Sequence, residues 1–162
     1  SVRSRLISEE DMVKQASEFA GTVPVRHLLP YWKTSNRYLF SGGSVNMRDA
    51  AVYAKEENWS KAVELWKQTY ETKKGKQKMY AAYNTALGYE MQDSIDTALE
   101  WALKAQTLAR EKSKTDKKET GEIHNGTISY YIFISMYVDE LEKRKEGMAR
   151  LNMQMNRFDD DF

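Results

Sequence analysis

The chain has 162 residues, 41% hydrophobic and 30% charged, which is enough length and apolar content for one ordinary domain with a buried core. Its 25 Lys+Arg against 24 Asp+Glu leave a net charge of +1, which argues against a dedicated nucleic-acid binder. Cysteine is absent, which excludes disulfides, thiolate zinc sites and cysteine nucleophiles, and His27 and His124 match no metal-ligand spacing. A non-enzymatic, soluble helical domain is the expectation, with no cofactor, no metal site and no catalytic residue.

The longest apolar stretch, Tyr130 to Val138, has nine residues, far short of the ~20 that cross a bilayer. No charged-then-apolar leader stands at the N-terminus. Ser1 opens the chain in place of Met, so a leader upstream stays open.

In chain order, a first helix is predicted from Glu9 to Ala20, capped by Ser8 and ended by Gly21. Residues 22–44 read as an irregular connection with a helical turn near Arg26–Leu29. No NG or DG dipeptide stands between alternating apolar runs, so hairpins are not expected. Trp32, Tyr38, Leu39 and Phe40 are too apolar for a solvated linker and are expected to pack on the helices that follow. From Val45 the pattern is helical. Met47, Ala50, Ala51 and Ala54 mark one helix face, and Ser60 is placed as the cap of the next. Ala62, Leu65, Trp66, Thr69 and Tyr70 form the second stripe. After the basic turn KKGKQK, Met79, Ala82, Tyr83 and Ala86 mark a third helix. Ser94 caps a fourth, with Ala98, Trp101, Ala102, Ala105 and Ala109 on its buried face.

The two pairs align at one offset. Ala50 and Ala86, Tyr53 and Tyr89, Trp59 and Ile95, Ala62 and Ala98, and Leu65 and Trp101 are each 36 residues apart. A fixed period in this range signals stacked helix–turn–helix units, because small residues let antiparallel helices approach while large ones fill the space between pairs.

These positions resemble the tetratricopeptide repeat (TPR). Ala50, Tyr53, Trp59, Ala62 and Trp66 match a first repeat, and Ala86, Tyr89, Ile95, Ala98 and Ala105 a second. Thr69 and Ala102 depart from the pattern, and neither repeat ends in proline. The resemblance implies an all-α fold, a TPR-like array of antiparallel helix pairs with an N-terminal helix and a long C-terminal capping helix. It divides the chain into 1–44, a helix and packing segment; 45–112, two helix pairs; and 113–162, a loop and the capping helix with an acidic tail. A second resemblance covers more of the chain. VRHLLPYWKTSNRYLF followed by MRDAAVYAKEENWSKAVELW is similar to an uncharacterised family of bacterial envelope lipoproteins. It implies an envelope location, periplasmic or surface, with a lipid anchor upstream and no membrane insertion by this chain. Without that resemblance the location reads as cytoplasmic.

The last segment does not repeat. Ile128, Tyr131, Ser135, Val138, Leu141, Met148, Leu151 and Met155 give one long amphipathic helix, read as a cap, with its methionine-rich end past Gly147 an alternative docking surface. The carboxylate pairs Glu9/Glu10, Glu56/Glu57 and the run Asp159–Asp161 read as solvated surface, and His27 as a satisfied packing histidine.

The TPR resemblance implies a concave groove that grips a protein or peptide partner. Its candidate lining is Met47, Arg48, Ala51 and Lys55 from the first repeat and Tyr80, Tyr83, Asn84 and Leu87 from the second. Arg48 and Lys55 lie seven apart on one face and can pair with a ligand carboxylate, and Asn84 can hold a peptide backbone through its amide. The alternative is a groove filled by residues 22–44 in a purely structural domain that supports another. A groove plugged by Trp32 and Tyr38 favours support, and an open one favours binding. An enzyme is the remote third reading, since no polar pocket of converging titratable groups is legible.

Overall fold

Alanines at helical spacing set how closely the helices of this chain approach. The computed structural model describes residues 19–28, 31–120 and 130–160. It contains two strands, β1 (Phe19–Leu28) and β2 (Trp32–Phe40), and five helices: α1 (Val45–Lys55), α2 (Trp59–Thr72), α3 (Lys76–Met91), α4 (Ile95–Thr120) and α5 (Tyr130–Asp160). Ala50, Ala62, Ala82, Ala86, Ala98, Ala102 and Ala105 are all fully buried between them. The protein is mostly helical, with each helix packed on the next.

Side-chain contacts fix the directions. Asn46 near the start of α1 donates to Gln68 near the end of α2 at 3.3 Å, so the pair is antiparallel. Lys67 on α2 donates to the Tyr89 hydroxyl on α3 at 3.2 Å. Asp96 at the start of α4 meets Lys145 of α5 at 3.1 Å, and Gln106 reaches Ser135 at 2.9 Å, so α5 returns antiparallel to α4. It therefore runs parallel to α3, and the Tyr80 and Tyr130 hydroxyls meet at 2.8 Å.

The 36-residue period is written into the backbone. In the first turn Asn58 N–H donates to Tyr53 O, and Glu57 N–H to Ala54 O. In the second, Ser94 N–H donates to Tyr89 O, and Asp93 N–H to Glu90 O. Among the described residues, the non-glycine residues with positive φ are Glu57 (61°) and Asp93 (60°), again one period apart. Two helix–turn–helix units thus share one turn geometry.

The segment before α1 differs from the sequence expectation. Where an irregular connection without a hairpin was expected, β1 and β2 pair antiparallel, Val25 opposite Ser35 and His27 opposite Lys33. Alternation carries it: Val25 and His27 face inward, while Thr22, Pro24, Arg26 and Leu28 face out. No two-residue turn signal is needed when a helical layer supplies the buried face. Phe19 and Ala20, expected to end a helix, lie in β1, and the rest of that predicted helix lies outside the described residues. Asn58 rather than Ser60 caps α2, accepting from Lys61 N–H at 3.4 Å. A loop was expected from residue 113, whereas α4 continues to Thr120.

The tightest crossing is at Gly88 on α3, where an added Cβ would fall on Val63 Cγ2 and lie 3.3 Å from the Trp66 ring. The Trp66 ring is itself fully buried and cannot yield. Gly88→Ala is therefore expected to lower unfolding stability by about 1–3 kcal/mol despite alanine's higher helix propensity, read from the urea midpoint.

Candidate functional site

Helix α3 is buried on nearly every side, so its polar residues must find partners within the protein. Asn84, fully buried, does so against β2. Its Nδ2 donates to Phe40 O at 2.7 Å, and its Oδ1 accepts from Phe40 N–H at 3.1 Å. The amide thereby closes both backbone groups of one strand residue, as a neighbouring strand would. The Phe40 ring stacks on Tyr80 (centroids 4.1 Å, planes 11° apart) and meets Tyr83 edge-on at 5.1 Å.

Nearly two turns further, Glu90 carries the densest polar network among the described residues. Its carboxylate is fully buried. Oε1 accepts from Arg37 Nε at 2.9 Å and from the Tyr137 hydroxyl at 3.0 Å. Oε2 accepts from Arg144 Nη1 at 2.7 Å and from Arg37 Nη2 at 3.2 Å. β2, α3 and α5 are joined at this one group. Burial alone would raise the Glu90 carboxyl, but the hydrogen bonds and charges of Arg37 and then Arg144 outweigh it and hold the carboxyl below its ordinary value. Burial, then the Glu90 charge, pushes the Tyr137 hydroxyl well above 10.0. His27 lies buried beside this cluster. Desolvation first, then the charges of Arg144 and Arg37, lower it from 6.5, and its Nδ1 has no hydrogen-bond partner. The packing histidine expected from the sequence is thus buried, with one of its two ring nitrogens unpartnered.

The predicted groove residues divide into two groups. Tyr80, Tyr83, Asn84 and Leu87 are brought together but lie buried beneath the hairpin and α5. On α1, Met47 is buried, Ala51 half-buried, and Arg48 and Lys55 exposed. The groove residues of α3 are therefore covered, with Phe40 lying on Tyr80, Tyr83 and Asn84. Trp32, expected as part of the plug, is 58% exposed on the outer face, with the Arg26 guanidinium 4.7 Å above its ring. A separate cleft of about 480 Å³ remains between β1 and the α1–α2 corner, lined by Val23, Leu39, Ala51, Lys55, Trp59 and Met91.

The sequence reading missed Arg37, Glu90, Tyr137 and Arg144. Two signals were present. Glu90 is one period after Ala54, a charge where the repeat places a small buried residue, and Arg144 interrupts the apolar seam between Leu141 and Met148.

Comparison with known families divides the chain at the same junction. A family model described as a domain of unknown function (DUF6340) matches residues 48–143. The chain belongs to the DUF6340 family. Residues 1–40 are similar to a second domain of unknown function (DUF8603). No curated protein and no solved structure matches the chain. The DUF6340 match thus takes in α2, α3, α4 and two of the three helical members of the network, Glu90 and Tyr137. It ends one residue before Arg144, while Arg37 falls in the other match.

Replacing the buried anion leaves two guanidinium groups without a counter-charge. Glu90→Gln is expected to cost about 3–5 kcal/mol in urea unfolding. The pH dependence has a definite sign. His27 and Glu90 are both depressed in the folded protein, so the unfolded chain binds more protons as acidity rises. Stability should be fully present above pH 6.5, begin to fall below it through His27, and fall further below 4.5 as Glu90 is protonated, as unfolding midpoints against pH would record. His27→Gln should remove the upper part of that loss only.

Proposed function

We propose that the protein is a non-enzymatic scaffold module, a TPR-like helical array whose concave face holds a β-hairpin rigidly against the helices and so supports an adjoining domain. The observation that carries this reading is the grip of Asn84 and Glu90 on β2. The amide of Asn84 closes the Phe40 peptide, and the carboxylate of Glu90 closes the Arg37 side chain. The position read from the sequence as a holder of peptide backbone is used on the chain's own strand. The repeat of one turn geometry at a 36-residue offset and the packing of each helix on the next support the TPR-like description. That the strands and the helices gripping them match different family models supports a coupling role, since the hairpin is the part shared with the DUF8603 region. Both carboxylate oxygens of Glu90 are committed to structural bonds, which favours support over catalysis. The envelope-lipoprotein resemblance would place the supported domain in the bacterial envelope, and the coding sequence upstream of Ser1 tests that location directly.

A second reading, capture of an extended segment of another protein, is favoured by the open cleft that retains Ala51 and Lys55. Its apolar floor of Leu39, Trp59 and Met91 with Lys55 at the rim suits an apolar segment ending in, or flanked by, a carboxylate.

Hydrogen exchange separates a rigid coupler from a loose hairpin. The β2 amides are expected to exchange as slowly as those of α3. Asn84→Ala should speed them by about tenfold while leaving α1 and α2 unchanged, reflecting the lost pair of bonds to Phe40. Fast exchange throughout the hairpin of the unaltered protein would sink the scaffold reading.

A further inference from the structure

Among the described residues, the apolar seam of α5 continues past the end of α3 and the start of α4. Ile134, Tyr137, Leu141 and Arg144 face the body and are buried. Met148, Leu151, Met155 and Phe158 extend the same alternating three- and four-residue spacing along the same side of the helix. Past Gly147 that side opens to solvent, Met155 being 58% and Phe158 64% exposed. Met153 lies on the opposite side and does not belong to the seam.

We propose that two copies of this chain pair through this seam, antiparallel, about a two-fold axis at Met153. Three features select a second copy. The seam is one helix wide, which suits a two-helix contact rather than a sheet or a bilayer face. At a two-fold axis each residue meets its own counterpart, so a charge there would repel itself. The residues flanking the seam at that point are Asn152 and Gln154, neutral amides with both donor and acceptor, able to bond their own copies. The same register stacks Met148 on Phe158 and Leu151 on Met155 of the second copy, and it brings Lys145 opposite Asp159 twice by symmetry. Lys145 is exposed, and its bond to the equally solvated Asp96 is easily shared. A parallel arrangement would instead set the two bodies side by side at one end and leave Gln154 facing Asp159. In residues 148–160 Arg150 and Arg157 are cancelled by Asp159 and Asp160, a balance unsuited to an anionic lipid surface. The overlap is short, so the pair is concentration-dependent.

Sedimentation equilibrium of the 162-residue chain from about 1 µM to about 1 mM tests the proposal. The mass is expected to rise from 18.9 kDa toward twice that value. Met155→Asp should hold the monomer mass throughout, with unchanged thermal unfolding because the position lies outside the packed body. Lys145→Glu should weaken pairing about tenfold, as two attractive exposed pairs become repulsive, and adding Asp159→Lys should restore it. A chain that stays monomeric, a dimer indifferent to Met155→Asp, or a charge exchange without rescue would each overturn the antiparallel pair. Monomeric protein that co-sediments with phosphatidylserine vesicles through Met155 would assign the seam to a lipid surface instead.

Discussion

A carboxylate withdrawn from water needs a donor for each of its lone pairs, and Glu90 draws its donors from separate elements. Arg37 arrives on β2, and Tyr137 and Arg144 arrive on α5, seven and fourteen residues from its start. None of these side chains could be buried alone at tolerable cost. Their meeting therefore fixes where the hairpin lies on α3 and how far along α3 the last helix slides. Continuous apolar packing would tolerate small shifts of either element, whereas four directed bonds to two oxygen atoms do not. The network also concentrates positive charge, two guanidinium groups around one anion, and these charges add to burial in lowering the His27 imidazole below its ordinary value.

The same constraint bears on function. In an array of helix pairs the inner helices would ordinarily offer their polar residues to a ligand. Here Asn84 and Glu90 are already committed to β2, and Tyr80 is stacked on Phe40 while Tyr83 meets it edge-on. The face is used internally. What stays available lies at the margins: the cleft beside Ala51 and Lys55, the outer hairpin face with Trp32, and the seam of α5 beyond Gly147. The boundary between the two family matches falls at the seal between hairpin and helices, so the bonds of Arg37 to Glu90 and of Phe40 to Asn84 lie across that boundary.

Much of the helical body was legible because local pattern and packing agree. The alanine spacing, the 36-residue offset and the aromatic positions follow from helix geometry alone, and Trp66 and Trp101 are buried as that pattern requires. The hairpin was not legible. Its signal, inward Val25 and His27 against outward Thr22, Pro24, Arg26 and Leu28, is short, contains a proline and lacks a turn dipeptide. Such an alternation becomes a strand only when a surface exists for it to cover. The groove residues were chosen by helix face, and of these Tyr80, Tyr83, Asn84 and Leu87 lie buried together while Arg48 and Lys55 stay exposed. What covers them depends on residues more than forty positions away.

The sequence by itself determined the helices, their period and their small-residue contacts, since these depend on residues three, four and thirty-six positions apart. It also carried the two anomalies that mark the centre, a glutamate where the first repeat has Ala54 and an arginine within an apolar seam. Only the tertiary structure decided that these anomalies answer each other. The energy of a buried charge depends on what else is brought to it, and Arg37, Glu90 and Arg144 become neighbours only after the hairpin has closed and α5 has returned along α3.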